Sequence, residues 1–587
     1  MLANIEPVQV VEIDIDYCAL TYGAGLCDAV LGTTGVRKCF NTFATCQAKP
    51  AFDKGVKTLR FITPTASVPK GDIYFPSLTS VSAFSTSVNI GGANPSLGAL
   101  GKRGKVSVRM KDFAYHDRYL DKYQSERVDG TAQTDEGGYD PTTRGSFFTK
   151  LKSRFPFYAG RPLRVIDGYV DGGVFTELQT RHFIITNIVG PNDSGNISIE
   201  AKDILTLAEK KSATAPTASR GQLLTEVPVG LVSFDLTPSG IGSEYPTSGT
   251  AVIGSEIVTY TRSSDTITLT GRGLYTTEEN NHSIGDSFQE CIVYTNQLIN
   301  EVVEDLLTNY TDIDPTFFPT DDWAEEVQRW APTLRLDAVL AEPTSVSDLL
   351  GELAVLGVSI WWDDVGQKIR LAITKPVDLN QTVYNLTDDA NIKSISQEDR
   401  DEDRLTQIHF YTVQADPTAG LKDKSNYDRI RVTVDTEAEQ ANSYNDVRVR
   451  EIFCRWLNFG NDTSTRLRSI RLLNKLNASP KQFKIRLDAK DIAISLTDVL
   501  YVESRIITDD TGKHVPTYLE VTQKSEPVAG HEVDIVAQAY LYEGNYGYIM
   551  ANTANPYGTA TDLEKETGAY ISDTAGIIFT DEPYVII

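Results

Sequence analysis

Four cysteines lie close together near the start of the sequence, and their thiols are the side chains best suited to chemistry. They are Cys18, Cys27, Cys39 and Cys46, with the spacing C-x8-C-x11-C-x6-C inside 29 residues. Four thiolates are the number needed for a tetrahedral metal ion or for an iron–sulfur cluster. The pattern predicts that residues 1–55 form a cysteine-rich metal domain. Cys291 and Cys454 stand alone and are expected to be small buried residues.

Three chemical states of the four thiols fit this spacing. Two disulfides would require an oxidising compartment, which assembly in a reducing cytoplasm does not provide. Zinc sites usually contain paired C-x2–4-C knuckles, whereas the wide loops here favour a larger [2Fe–2S] or [4Fe–4S] cluster. Four glycines in these loops can bring backbone amides to the sulfurs: Gly23, Gly25, Gly32 and Gly35. The spacing alone favours a bound metal, and it favours an iron–sulfur cluster slightly over zinc. A structural role, in which the metal cross-links the segment, is favoured over electron transfer.

The composition narrows the partners of this 587-residue chain. Acidic residues outnumber basic ones by 80 to 55, which gives a formal net charge of −25. Binding to duplex DNA needs clustered Lys and Arg, so we expect no sequence-specific nucleic-acid binding and a surface that repels DNA. No run approaches the roughly 18 apolar residues of a membrane helix, and the first residues lack a basic signal region. We therefore expect no membrane insertion and assembly in a cytoplasm.

Short strands bounded by turn residues dominate the sequence and predict a mainly β fold with α+β elements. Five strands are expected between residues 56 and 210, which we assign to a first barrel domain. They are 58–62, 106–110, 163–170, 181–188 and 196–201. A proline-containing linker at 210–217 leads to alternating strands joined by tight turns, which predict a small inserted β-barrel module over residues 211–292.

Helical periodicity appears in the middle of the chain and predicts a connecting domain at 293–375. Apolar residues repeat at helical spacing from Leu298 to Tyr310 and predict one helix. Ser345-x-x-Asp348 is typical of a helix start and predicts a second helix, which ends at Gly357. A hairpin is expected around Asp363-Asp364-Val365-Gly366. Strands then return, with a basic amphipathic helix at 463–475, and predict a second barrel domain at 376–545. Residues 546–587 are expected to form a C-terminal arm that packs on a neighbouring subunit.

The order of these elements resembles the baseplate hub and tail-tip proteins of long-tailed bacteriophages. The resemblance lies in the helix, glycine and hairpin of 349–373 and in the strand–helix–barrel segment that follows to about 545. The segments around Ile253-Gly254-Ser255-Glu256, Gly271-Arg272-Gly273 and 282–286 are similar to a small domain that recurs in tail-tip proteins. The cysteine pattern is similar to the cluster domain of lambda-like tail-tip and gene-transfer-agent hub proteins, although here it lies at the amino terminus.

This resemblance implies a structural role rather than an enzymatic one. Two similar barrels per subunit would form a pseudo-sixfold ring in a homotrimer, which joins the tail tube to the tip and closes the DNA channel. The implied partners are a distal tail protein, a tape-measure protein and central tip or receptor-binding proteins. The implied location is the tip of the virion tail, assembled in the bacterial host cytoplasm. The implied cofactor is an iron–sulfur cluster, [4Fe–4S] rather than zinc, on the four cysteines.

Catalytic alternatives have weaker support. An enzyme that degrades envelope polysaccharide or peptidoglycan could use Trp361-Trp362-Asp363-Asp364, since glycoside hydrolysis needs two carboxyl groups across a cleft. Asp is also favoured in hairpin turns, which is the preferred interpretation here. The six histidines are scattered, and Gly271-Arg272-Gly273 lacks the Gly-Lys-Ser/Thr of a phosphate loop. A redox or metal-transfer role for the cysteines remains a third hypothesis.

Overall fold

A computed structural model defines the fold of most of the chain. It describes residues 6–30, 33–34, 39–84, 86–92, 100–123, 143–375, 377, 381–478, 480–528, 532–540, 545–548, 561 and 583–586. Strands greatly outnumber helices in these residues, so the fold is mainly β. None of the helices in the described ranges is both long and apolar enough to cross a bilayer.

The first unit is an eight-stranded sheet. Its strands, in spatial order, are Tyr74–Pro76, Lys54–Ile62, Glu6–Cys18, Pro162–Asp171, Val174–Val189, Asn196–Lys202, Lys105–Lys111 and Leu78–Phe84. All five strands predicted for this region are present. The two outermost strands are not paired with each other in the described residues, so the sheet is an open half-barrel. Its inner face packs on the helix Phe147–Arg154 through a core that includes Phe61, Phe147 and Phe148.

The position of Glu6–Cys18 changes the expected division of the chain. This strand lies in the middle of the first sheet, paired with Lys54–Ile62 on one side and Pro162–Asp171 on the other. The predicted boundary between a domain at 1–55 and another at 56–210 therefore cuts through one sheet. The cysteine segment is the connection between two adjacent strands, because the chain leaves the sheet at Cys18 and returns at Lys54.

The second unit is a seven-stranded sheet that extends past the predicted module boundary at residue 292. Its strands, in spatial order, are Gln222–Leu223, Ser233–Thr237, Thr266–Leu274, Glu256–Ser263, Ser248–Ile253, Phe288–Gln297 and Leu336–Leu340. The last strand joins because Ile292 and Val293 pair with Leu340 and Val339. The predicted linker at 210–217 is part of the packed structure, since its strand Thr214–Ala215 pairs with Thr344–Ser345.

The connecting region contains the two predicted helices and the predicted hairpin, together with the helix Thr320–Trp330, which the sequence analysis did not predict. The helices are Ile299–Tyr310, Thr320–Trp330 and Val346–Ala354, and the hairpin strands are Val358–Asp363 and Lys368–Ile373. Gly357 has φ +99°, which suits the glycine that ends the last helix. These elements contribute to the largest core cluster, in which Trp323 and Trp362 are almost completely buried.

The last unit contains a six-stranded sheet, a three-stranded sheet and one helix. The six strands, in spatial order, are Val383–Thr387, Val499–Glu503, Thr517–Val528, Glu532–Ala539, Lys481–Asp488 and Ile392–Asp399. The three-stranded sheet consists of Tyr427–Val434, Gln407–Gln414 and Val449–Phe453, beside the helix Asp462–Leu476. The predicted arm at 546–587 lies mostly outside the described residues. Within the described residues, Asn545–Tyr548 pairs with Pro583–Ile586.

Candidate metal centre

The four clustered cysteines line one small pocket beside the first sheet. Apolar residues such as Leu20, Ala29 and Ala48 complete its wall. Cys18 and Cys39 are each 8% exposed, and Cys27 and Cys46 are partly exposed. The fold therefore brings together all four residues that the sequence singles out.

Local backbone structure places each thiol. Cys18 is the last residue of its strand, and its N–H donates to the carbonyl of Asn41 at 2.7 Å. Cys27 closes a turn by donating its N–H to Ala24 O at 3.2 Å. Cys46 follows the short 3-10 helix Phe43–Thr45 and donates its N–H to Phe43 O at 3.2 Å. Turns of this kind need little hydrophobic core, which is typical of metal-stapled segments.

The electrostatics show that the thiols lie within reach of one another. Burial raises the pKa of Cys39 to about 11, and the nearby thiols of Cys46, Cys18 and Cys27 raise it further, whereas the N–H of Asn41 opposes the shift. That N–H lies 3.4 Å from Cys39 Sγ. Burial also raises the pKa of Cys46. Thiols whose pKa is raised, as in Cys39 and Cys46, hold their protons unless a cation replaces them.

Residues 117–123 of the first sheet unit tie the cysteine segment in place. Lys122 Nζ lies 3.5 Å, 3.1 Å and 3.3 Å from the carbonyl oxygens of Cys18, Ala19 and Leu20. The N–H of Tyr22 donates to the hydroxyl of Tyr123 at 2.6 Å. These contacts join segments about 100 residues apart in sequence, so the pocket depends on the folded sheet.

The six cysteines are free thiols, with no disulfide between them. In the part of the chain that the structure describes, no three His, Cys, Asp or Glu side chains are arranged to hold a metal ion. Four thiols nevertheless line one pocket and backbone amides approach two of the sulfurs, and these are the kinds of donors that iron–sulfur clusters use.

The hairpin carboxylates have the geometry of a turn. Asp363 Oδ1 accepts the N–H of Gly366 at 2.8 Å, and Asp363 Oδ2 lies 3.2 Å from Arg370. Burial raises the pKa of Asp364 to about 6. Trp361 and Trp362 are only 7% and 2% exposed, so neither ring offers a free face for stacking on a sugar.

The seven-stranded sheet contains a buried cluster of charged side chains that the sequence did not predict. Glu256 is 0% exposed and accepts hydrogen bonds from the guanidinium of Arg272 at 2.9 and 2.7 Å. It also accepts the N–H groups of Gly273 and Asn280 and lies 2.8 Å from His282 Nε2. The Gly271-Arg272-Gly273 motif is therefore an internal staple of this sheet and belongs to no phosphate site.

Comparisons with known proteins give structural but no sequence-level matches. No protein-family model matches the chain, and no curated protein matches it significantly. Its structure is similar to that of the tail protein from Neisseria meningitidis MC58, with 9% identity, a TM-score of 0.35 and coverage of 78% of this chain and 97% of that one. The 43 kDa tail protein of prophage MuSo2 from Shewanella oneidensis gives 11% identity, a TM-score of 0.35 and the same coverages.

A chain of the virion of a native gene transfer agent is a third match. It is 10% identical with a TM-score of 0.26, over 42% of this chain and 49% of that one. Two of these three solved structures are tail proteins, and the third is part of a gene transfer agent virion.

Proposed function

We propose that this chain is a structural hub or tip protein of a phage-type tail. Three copies form a ring that connects the tail tube to the tip and closes the DNA channel, next to a distal tail protein, a tape-measure protein and central tip proteins. We also propose that Cys18, Cys27, Cys39 and Cys46 hold an iron–sulfur cluster, of the [4Fe–4S] type. The proposed location is the tail tip of a virion assembled in the bacterial cytoplasm.

One observation carries the ring proposal: the first and last β units of the chain lie side by side. Val88 donates its N–H to Thr522 O at 2.8 Å, and Ser87 forms a β-bridge with Gln523. The segment that follows the outer strand Leu78–Phe84 of the eight-stranded sheet is thus hydrogen-bonded to the strand Thr517–Val528 of the six-stranded sheet, although 434 positions separate Val88 from Thr522 in sequence. Three such pairs provide six β units, the number that a pseudo-sixfold ring requires.

Open sheet edges and charge support the same arrangement. In the eight-stranded sheet the outer strands are Tyr74–Pro76 and Leu78–Phe84, and in the six-stranded sheet they are Val383–Thr387 and Ile392–Asp399. Open edges favour pairing with another chain, and closure into a ring satisfies them without aggregation. A net charge of −25 suits a channel that DNA must leave without adhering.

The cluster proposal rests on the chemistry of the pocket. When bound, the cluster supplies metal–sulfur bonds that cross-link four turns of a segment with few core residues. Lys49 lies near Cys46, and Lys122 lies at the carbonyls of the Cys18 turn, so two cations are placed to offset the negative charge of four thiolates. The expected role is to staple this segment to the strand Glu6–Cys18.

Solution mass tests the ring. Analytical ultracentrifugation of the purified chain, alone and with its neighbouring tail proteins, should give three chains per particle. A particle that stays monomeric in both conditions would contradict the proposed assembly.

Metal analysis tests the cluster separately. Protein purified without oxygen should contain iron and acid-labile sulfide, and Cys39→Ser should lose both. Cys291→Ser is the matched control, because Cys291 is equally buried at 6% exposure but lies far from the pocket in the seven-stranded sheet. Zinc in place of iron, or two disulfides in protein isolated from the cytoplasm, would refute the cluster assignment.

A further inference from the structure

A large groove lies where three units of the chain meet. Its volume is about 1000 Å³. One wall is the hairpin Pro162–Asp171 and Val174–Val189 of the first sheet, and the opposite wall includes Lys524 to Glu526 of the last sheet. The floor is the turn from Trp361 to Gly366. Clefts between structural units are common positions for binding sites.

Most of the charged groups in this groove already have partners. Asp167 Oδ2 is 2.8 Å from Arg181 Nη2, and its other oxygen accepts from Gln9 at 2.8 Å. Asp363 is bound to Arg370. These pairs hold the walls together and need no ligand.

Two buried polar atoms that line the groove have no hydrogen-bond partner among the described residues, and the carboxylate of Asp364 lies beside them. The side chain of Glu526 is 6% exposed, and although its Oε1 lies 3.5 Å from Lys524 Nζ, its buried Oε2 has no hydrogen-bond partner. Burial raises the pKa of Asp364, the nearby Arg181 opposes that shift, and the carboxylates of Asp363 and Glu526 add to it, so Asp364 lies near both Arg181 and Glu526. Arg181 Nε is also buried without an acceptor. Buried polar groups left in this state are costly, so each is expected to find a partner.

The unused groups specify what the missing partner must supply. The buried Oε2 of Glu526, beside the carboxylate of Asp364, requires a donor such as a cationic side chain, and Arg181 Nε requires an acceptor. A Lys or Arg side chain on a peptide provides the cation, and a neighbouring peptide carbonyl provides the acceptor.

The apolar part of the groove favours a peptide over a sugar. Trp362 is held by an edge-to-face contact with Phe317, and its indole N–H donates to His182 O at 3.2 Å. The exposed apolar residues are aliphatic, with Leu178 71% exposed and Val365 48% exposed. Aliphatic side chains pack against the apolar side chains of a peptide, whereas sugars stack on exposed aromatic rings.

We propose that this groove binds an extended peptide segment of a partner protein, with a Lys or Arg side chain between Asp364 and Glu526 and an adjacent apolar side chain on Leu178 and Val365. Arg181 Nε donates to a carbonyl of the same peptide. This inference rests on the proposed function only in assigning the partner to the tail, since binding requires no ring.

Selection from a yeast-displayed library of random dodecapeptides tests the proposal with the full chain as bait. The enriched peptides should share a Lys or Arg next to an aliphatic residue. A labelled enriched peptide should then bind at least 10-fold more weakly, by fluorescence anisotropy, to the double variant Asp364→Asn, Glu526→Gln. The matched control is Glu503→Gln, Asp510→Asn, which removes two exposed charges from the same unit and should leave affinity unchanged.

The exposed rim provides a second variant that does not threaten folding. Leu178→Glu should also weaken binding at least 10-fold. Enriched peptides without a basic residue, equal binding to groove and control variants, or displacement of the peptide by an N-acetylglucosamine oligomer would overturn the proposal. The solution mass of the same preparation distinguishes the peptide-binding proposal from the ring proposal. Peptide binding by a monomer would support the binding site in the groove and contradict the trimeric ring.

Discussion

Replacing Glu256 with Gln should destabilise the seven-stranded sheet strongly. The carboxylate is completely buried and receives both arms of the Arg272 guanidinium, two backbone N–H groups and a contact from His282. Burial alone would raise its pKa, but the hydrogen bonds from Arg272, Asn280 and His282 outweigh burial and lower the pKa to about 2. The ionised form is therefore the one that holds the strands together at neutral pH.

The expected loss of stability follows from the charge that remains on Arg272. Glu256→Gln leaves the Arg272 guanidinium, whose side chain is 8% exposed, without its counter-ion. Removing one partner of a buried pair costs about 3–5 kcal/mol, which is a large share of the stability of a single domain. Arg272 keeps bonds to the carbonyls of Pro228 and Asn280, so we expect the lower end, about 3 kcal/mol.

Hydrogen exchange read by mass spectrometry on the full chain measures this effect locally. A loss of about 3 kcal/mol should speed exchange in the strands Glu256–Ser263 and Thr266–Leu274 by about 100-fold, while strands of the first sheet keep their rates. Glu278→Gln is the control, since Glu278 is an exposed acid of the same unit. Equal exchange rates in the two variants would show that the buried Glu256–Arg272 pair does not stabilise these strands.

Two further changes test the packing. Burial raises the pKa of Asp203 to about 6, against the opposing effects of Arg103 and the Gly104 N–H. The folded chain therefore loses stability as the pH rises from the ordinary pKa of 3.8 through 6, because Asp203 must then ionise in a buried position. Asp203→Asn should therefore stabilise the chain at pH 8 by up to about 3 kcal/mol and have little effect at pH 4, as thermal unfolding at the two pH values would show; equal effects at both would contradict this. Gly242→Ala should destabilise the seven-stranded sheet in denaturant unfolding, because an added Cβ would lie 1.9 Å from the Ser264 carbonyl oxygen, whereas Gly420→Ala meets nothing within 4 Å and should be neutral.

Local patterns in the sequence predicted local structure well. The helix Val346–Ala354, the glycine that ends it and the hairpin that follows match the expected elements, because periodicity, capping and turn residues act over a few positions. The convergence of four cysteines on one pocket was also predictable from their spacing. The nature of the group they hold stays a prediction.

Features that depend on long-range pairing were not predictable in the same way. The strand Glu6–Cys18 alternates apolar and polar residues, yet only its pairing with Pro162–Asp171 shows that it is central to the first sheet. Likewise, Arg272 and His282 lie 16 and 26 residues from Glu256, and only the register of the strands and the turn after them brings these groups together. Sequence spacing carries no signal for such contacts.

Native mass spectrometry of protein prepared without oxygen measures the assembly and the bound cluster in one experiment. We expect a particle of three chains, each heavier than the bare polypeptide by the mass of one iron–sulfur cluster, and loss of that extra mass in Cys39→Ser. A single chain with the mass of the polypeptide alone would contradict both the ring and the cluster.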